Sequence, residues 1–340
     1  MNDDQLVSIC IPTYNRANSI GDTIKSALSQ TYENIEVIVV DNASTDKTEE
    51  VVNSFDDPRL SYVRNRRNLG LFGNFNRCIE LYSGEFLHIL HSDDTIPPNF
   101  TATCMEFIAA HPEVSLTCTP PLTLSRDGNE IISRRFDEPA IFMPPEGMSV
   151  ILSGRNFIVC PSVMVRRGVF EQYNGFSMEY SYSSDYYQYL RVARDYVIAY
   201  IPDTYLSYST GEHTESYRLL FRSPTGYLDT LRIYIQLIQD LNDEYPAYKE
   251  EINKSLFTFA GDCVFAGFTR GEEMKPFIPR MFNELAADAL ILISPISAGE
   301  VFKKMGWRIF VTLSGFSMRF GFFRKRIGNR LLRRSGDHLY

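Results

Sequence analysis

The sequence of 340 residues has no long apolar run; its longest stretch free of Asp, Glu, Lys and Arg, Val114 to Ser125, has 12 residues and contains a double proline. A membrane span takes roughly 20 apolar residues, so no transmembrane helix is expected. The six cysteines, Cys10, Cys78, Cys104, Cys118, Cys160 and Cys263, include no C-x-x-C pair and no adjacent histidine cluster. They read as buried reduced thiols rather than metal ligands or disulfide partners. The start, Met1-Asn2-Asp3-Asp4-Gln5, lacks the basic n-region of a secretory signal, and a cytoplasmic location is expected. No glycine- and lysine-rich phosphate loop follows the first strand-like segment, which argues against a nucleotidyltransferase.

With 44% hydrophobic and 22% charged residues, the chain has the composition of an ordinary folded protein, long enough for two domains or for one large domain with an appendage. The net charge of −8 conceals an asymmetry: residues 301–340 hold ten Lys/Arg against one acid, Asp337, so the preceding 300 residues carry −17. So acidic a body would repel nucleic-acid phosphates, and no nucleic-acid partner is expected.

The first 120 residues alternate between strand-like and helix-like periods. Leu6 to Ile11 is a short apolar run ended by Pro12, and Ile35 to Val40 is β-branched in five of six positions and ends at Asp41. Leu60 to Arg64 and Glu85 to Leu90 read as further strands, followed by Val114 to Thr119. Between them, Ile20, Ile24, Ala27 and Leu28 share one helix face behind an Asn18 or Ser19 cap. Ser44-Thr45-Asp46 with Glu49 has the form of a capping box for a helix through Phe55. Leu71 to Leu81 and a segment from Pro97-Pro98-Asn99 to Ala110 complete the helices. The pattern predicts an α/β fold with a mostly parallel sheet covered on both faces, in which ligands bind at the carboxyl ends of the strands.

Three strand-end loops therefore matter. Pro12-Thr13-Tyr14-Asn15 offers a tyrosine and backbone amides for a base, and Asp41 a carboxylate for a base N–H or ribose hydroxyls. Asp93-Asp94 offers paired carboxylates for Mg2+ or Mn2+ holding a diphosphate. Singly, Thr13 and Asp41 read equally as turn formers and Asp93-Asp94 as a helix cap. Jointly, on successive strand ends, they favour a nucleotide site.

The runs Val7-Ser8-Ile9-Cys10-Ile11-Pro12-Thr13-Tyr14-Asn15-Arg16 and Val39-Val40-Asp41-Asn42-Ala43-Ser44-Thr45-Asp46, with Asn68-Leu69-Gly70 and Ser92-Asp93-Asp94, resemble the family 2 glycosyltransferases of GT-A fold in wording, order and spacing. The resemblance covers roughly residues 5 to 212. It implies a Rossmann-like GT-A sheet and metal-assisted, inverting transfer of a sugar from a nucleotide-sugar donor. Carried over by position, it places Pro12, Thr13, Tyr14, Asn15, Asp41 (on the base, most often uracil), Asn68 and Asp93 on the nucleotide. Asp94, with Asp93, would ligate the metal bridging the phosphates. Many members have an acid where this chain has His91.

Asn174-Gly175-Phe176, Ser184-Asp185-Tyr186 and Leu190-Arg191 resemble the acceptor-side segment, where an acid opening a helix acts as general base. That role falls to Asp185, which can equally serve the helix macrodipole. Arg191 reads as a structural partner. His213 lies where some members bring a loop histidine to the metal, and it reads equally as a solvated loop residue.

Beyond a catalytic domain at 1–212, residues 213–340 read as a helical region. Phe302, Met305, Ile309, Leu313, Phe316, Phe320, Phe323, Ile327 and Leu331 recur at steps of three and four, with Trp307 and many basic residues interleaved. Such a segment, 301–335, suits an anionic membrane surface at the inner face of the cell membrane, or packs on the catalytic domain in pieces separated by its glycines. Two functions compete. One is a glycosyltransferase moving a sugar, from a UDP-sugar most readily, to a glycan or lipid-linked acceptor in surface polysaccharide or O-antigen synthesis. The other is a catalytically inactive nucleotide-sugar or glycan-binding protein of the same fold.

Overall fold

A computed structural model describes residues 5–124, 128–153, 156–210, 225–244, 246–252 and 255. The chain builds β1 (Val7–Thr13), α1 (Ile20–Leu28), β2 (Ile35–Asp41), α2 (Thr48–Val52), β3 (Leu60–Arg64), α3 (Leu71–Leu81), β4 (Phe86–Ile89), α4 (Phe100–Ala110) and β5 (Val114–Cys118). Short strands β6 (Pro121–Leu124), β7 (Glu130–Ile132) and β8 (Ala140–Phe142) precede α5 (Glu146–Leu152) and β9 (Met164–Arg166). Helix α6 (Ser184–Asp195), β10 (Val197–Tyr200) and β11 (Leu206–Ser207) follow, with α7 (Thr225–Leu241) after them.

The central sheet among the described residues has eight strands in the order β3-β2-β1-β4-β9-β5-β10-β8, and β11-β6-β7 form a second, small sheet. Strands β3, β2, β1 and β4 are parallel neighbours, as are β5 and β10, while β9 and β8 run antiparallel. The α/β fold with a mostly parallel sheet agrees with the sequence reading, and the antiparallel insertions are an addition to it.

The continuous apolar runs of β1 and β2 follow from burial on both faces, since successive side chains point to opposite sides. Ile9, Ile11, Val37 and Val39 pack with Ile20 and Ile24 of α1 and with Phe100, Cys104 and Ile108 of α4. Cys10, Ile38, Val40, Leu87 and Ile89 pack on the other face with Phe72, Phe75 and Cys78 of α3, Leu190 of α6 and Ile233 and Leu237 of α7. The described cysteines are free and buried. His88, fully buried in β4, bonds through Nε2 to the Pro161 carbonyl at 2.8 Å, and burial lowers its pKa to about 4.

Three local expectations differ from the structure. First, β1 does not end at Pro12 but runs through it to Thr13, which pairs with Asp41. Ser44 does not cap α2; its hydroxyl donates to Asp41 Oδ1 at 2.6 Å, and the helix starts four residues later, at Thr48, and ends at Val52. Asp46 takes up the capping work by accepting from the Thr48 amide at 3.0 Å. Likewise, Ser19 precedes α1 without capping it, because its hydroxyl donates to the Ser92 carbonyl at 2.9 Å. At each helix another acceptor outcompetes the local cap: Asp41 of the same loop for Ser44, and the Ser92 carbonyl of a different strand-end loop for Ser19. Among the described residues, no helix is long and apolar enough to cross a membrane.

Candidate active site

The parallel register places three polar residues side by side at the carboxyl edge of the sheet: Thr13 of β1 is paired with Asp41 of β2, which is paired with Arg64 of β3. Strand β4 stops earlier, its Ile89 being level with Cys10, so the loop His91–Asp94 enters the same edge from the other side. All three loops singled out from the sequence thus meet.

Asp41 is fully buried and saturated. Its Oδ1 accepts from the Ser44 amide at 2.9 Å and the Ser44 hydroxyl at 2.6 Å, and its Oδ2 from the Tyr62 hydroxyl at 2.5 Å and Arg64 Nη1 at 2.8 Å. Burial, and then the Asp41 carboxylate, push the Tyr62 phenol up to about 12. Arg64 also donates through Nη2 to the Ser44 carbonyl at 2.6 Å and borders a cleft of about 490 Å³ shared with Arg66, Arg67 and Arg77.

The first two loops are laced together. Asn15, whose positive φ of 53° asparagine tolerates, donates its amide to Ser44 Oγ at 2.9 Å and accepts from the Thr45 amide at 2.7 Å. Thr13 Oγ1 is buried with no hydrogen-bond partner, whereas Tyr14 is 44% exposed and free to lie over a planar ligand. Asn68 accepts through Oδ1 from Asn42 Nδ2 at 2.9 Å and from the Gly70 amide at 2.8 Å, bracing the turn into α3.

In the third loop, Asp94 is 1% exposed; Oδ1 accepts from the Ser209 amide at 2.7 Å, while Oδ2 is buried without a hydrogen-bond partner. Burial and then the neighbouring Asp93 carboxylate raise the Asp94 pKa well above the usual range, against the Ser209 amide. His91 Nδ1 stands 3.7 Å from Asp94 Oδ2, and burial lowers the His91 pKa to about 4, so the ring is neutral. Asp93 faces Arg16 at 3.7 Å. An unsatisfied buried carboxylate oxygen at the carboxyl edge of the sheet suits a hard cation that also takes phosphate oxygens. Among the described residues, no group of three or more His, Cys, Asp or Glu side chains could hold a metal alone. His213 lies outside the described residues, as does the segment 301–335.

In the segment leading to α6, Asn174 and Gly175 take positive φ of 58° and 73°, and Asn76 of α3 clasps Phe176 at both backbone groups, at 2.8 and 2.9 Å. A Cβ at Gly175 would lie 2.4 Å from Asn76 Oδ1, so only glycine fits. Asp185, in the first turn of α6, accepts the Tyr186 amide at 2.9 Å, and burial raises its pKa to about 6. Burial first, then the Asp185 carboxylate and, less, that of Asp94, push the Cys160 thiol up, so both carboxylates lie within electrostatic reach of that thiol. Arg191 donates to the Gly175 carbonyl at 3.3 Å and lies over the Tyr173 and Tyr187 rings at 4.7 and 4.5 Å, a structural partner as expected.

Sequence reasoning gave Arg16 no role beyond its place in the first motif, and it missed Tyr62, Arg64 and Ser209. Arg64 was findable, since it ends β3 as Asp41 ends β2; Ser209, 115 residues from Asp94, carries no local signal.

The model of the family described as Glycosyl transferase family 2 matches residues 8–174. A β-1,3-glucosyltransferase from Escherichia coli, WfgD, named as acting from UDP-Glc on α-D-GlcNAc-diphosphoundecaprenol, is 30% identical over 194 residues, 57% of this chain and 72% of that protein. WfaP, named for the same reaction in Escherichia coli, is 41% identical over 90 residues, 26% of this chain and only 36% of that protein. Among solved structures, S. aureus TarS 1–349 in complex with UDP-GlcNAc superposes with a TM-score of 0.66 at 20% identity, covering 84% of this chain and 80% of that one. Fold, motif order and relatives agree: the chain belongs to glycosyl transferase family 2, with the GT-A fold.

Proposed function

We propose that the chain transfers a hexose from a UDP-sugar to a hydroxyl of a lipid-linked saccharide, with inversion, in the synthesis of a surface polysaccharide. The observation that carries this reading is the pairing of a buried, half-satisfied Asp94 with the Thr13–Asp41–Arg64 row on the same sheet edge. The named reactions of WfgD and WfaP supply the donor and acceptor classes. Pro12, Thr13, Tyr14, Asn15, Asp41, Asn68 and Asp93 hold the nucleotide. Uracil takes an acceptor position on Asp41 by displacing one of its present donors. Asp94, with Asp93 and His213, would hold Mn2+ or Mg2+; the cation supplies positive charge to offset that on a departing diphosphate.

Asp185 takes the proton of the acceptor hydroxyl as that oxygen bonds to the anomeric carbon. The bond from that carbon to the diphosphate oxygen breaks on the opposite face, and the nucleoside diphosphate leaves with the electron pair. One in-line displacement gives inversion. Burial suits Asp185 to this task, because a base with a pKa of about 6 is both ionised and a competent proton acceptor near neutrality. The catalytic domain is 1–212, and the basic segment 301–335 within 213–340 brings the enzyme to an anionic membrane surface, where its acceptor resides.

The test is transfer from UDP-glucose and UDP-GlcNAc to a GlcNAc-diphospho-lipid, with the anomeric configuration of the product read by NMR. A single inverted linkage supports the reading. UDP binding without turnover of any donor, wild type and Asp185→Asn behaving alike, favours the inactive binding protein. Sedimentation with phosphatidylglycerol vesicles but not phosphatidylcholine vesicles, lost on deleting 301–340, supports the membrane contact.

A further inference from the structure

Helix α7 lies after the catalytic segment in sequence, yet it grips the residues that lead into Asp185. Asp229 is 2% exposed, and its Oδ2 accepts both the Ser181 amide at 2.6 Å and the Tyr182 amide at 2.9 Å. The next residue, Thr230, meets the Ser183 hydroxyl at 2.9 Å, and one turn on, Tyr234 meets the Tyr186 hydroxyl at 3.2 Å. Tyr187 donates to Asp240 near the end of the same helix. Five hydrogen bonds from four residues of one helix therefore bracket Asp185 on both sides in sequence.

The amides of Ser181 and Tyr182 precede α6 and have no place in its hydrogen-bond ladder, so the Asp229 carboxylate supplies an acceptor that the helix does not. A buried carboxylate is a strong acceptor for two N–H groups at once, and a short aspartate on a packed helix holds them at fixed positions. A base must be held to within a fraction of an ångström of productive geometry, and residues supporting it do so through its backbone.

We propose that Asp229 is a positioning residue for glycosyl transfer, fixing through the Ser181 and Tyr182 amides the segment that presents Asp185 to the acceptor. The inference rests on the reading of Asp185 as general base. It extends the catalytic apparatus past residue 212, into a helix outside the part matched by the family model, which ends at residue 174.

The test uses the full chain, with UDP-glucose and a GlcNAc-diphospho-lipid, in five forms: wild type, Asp229→Ala, Asp229→Asn, Asp185→Asn and the Asp185→Asn/Asp229→Ala double variant. Asp229→Ala is expected to lower kcat tenfold or more, with donor KM and calorimetric UDP affinity within twofold of wild type. Asp229→Asn, which keeps a carbonyl oxygen for the two amides, is expected to stay within threefold of wild-type kcat. The double variant is expected to match Asp185→Asn, since Asp229 acts through Asp185. Amide exchange of residues 181–183, which needs no substrate, is expected to quicken at least tenfold in Asp229→Ala. Wild-type kcat or unchanged exchange in Asp229→Ala, or parallel losses of UDP affinity and kcat, overturns the proposal. If Asp185→Asn is inactive while Asp229→Ala turns over normally, positioning fails and the base reading stands; if Asp185→Asn remains active, both fail.

Discussion

Ser209 donates its backbone amide to Asp94 Oδ1 at 2.7 Å, and its hydroxyl bonds the Asp93 carbonyl, tying the second acidic strand end to a segment 115 residues further along the chain. One oxygen of Asp94 is thus held while the other is left buried and unpaired. Such an arrangement is costly in the free protein and useful when a ligand supplies the missing positive charge.

Replacing Asp94 should therefore separate stability from function. Ionising a buried carboxylate whose pKa is raised costs stability as pH rises above its unfolded value, so Asp94→Asn relieves a strain present at neutral pH. We expect Asp94→Asn to raise the thermal midpoint of the ligand-free protein by a few degrees, about 1 kcal/mol, by scanning calorimetry. A lowered midpoint would show that Asp94 is paired in solution.

The charge pair of Arg64 and Asp41 behaves oppositely. Asp41 is fully buried, and Arg64, 40% exposed at its side chain, supplies one of its four bonds and a second tie to the Ser44 carbonyl. Solvent screening discounts the charge term, and Arg64→Ala is expected to lower the urea midpoint slightly with the slope unchanged. A change near zero would mean that water replaces the guanidinium.

Much of this edge is legible in the sequence. Strand β3 and helix α3 fall where the periodicity places them, and Asp41 and Asp93-Asp94 are recognisable because each follows an apolar strand. Other parts are not. Strands β8 and β9 have three residues each, too few to show a period. Ser44 has the spacing of a cap, but Asp41, folded back by the positive φ of 64° at Ala43, takes its hydroxyl instead. Ser209 and Asp229 act through contacts whose partners lie far along the chain or in a separate helix, which no local pattern encodes.

Gly175 tests the loop that precedes α6. Its φ of 73° and the 2.4 Å approach of Asn76 Oδ1 to any Cβ both exclude a side chain. Gly175→Ala is expected to destabilise by about 1–3 kcal/mol, and Asn76→Ala in the same chain to recover only the steric part. Equal stability of Gly175→Ala and wild type would mean that the loop adopts another conformation.

Turnover should report the ionisation of Asp185. A base must be unprotonated, and burial raises its pKa to about 6, so kcat should fall tenfold per pH unit below about 6 and be level above it. His91, at about 4, stays neutral across that range and adds no second limb. A profile level down to pH 5 would remove Asp185 from the proton transfer.

The central claim is a metal-assisted uridine nucleotide site built on Asp94, and calorimetric titration tests it most directly. UDP, GDP and dTDP are titrated with and without Mn2+ into the wild-type chain and into Asp94→Ala. The account predicts that UDP binds, that Mn2+ strengthens binding at least tenfold, and that Asp94→Ala abolishes the gain. Binding that ignores both Mn2+ and the substitution, or no binding of any of the three nucleotides, would contradict it.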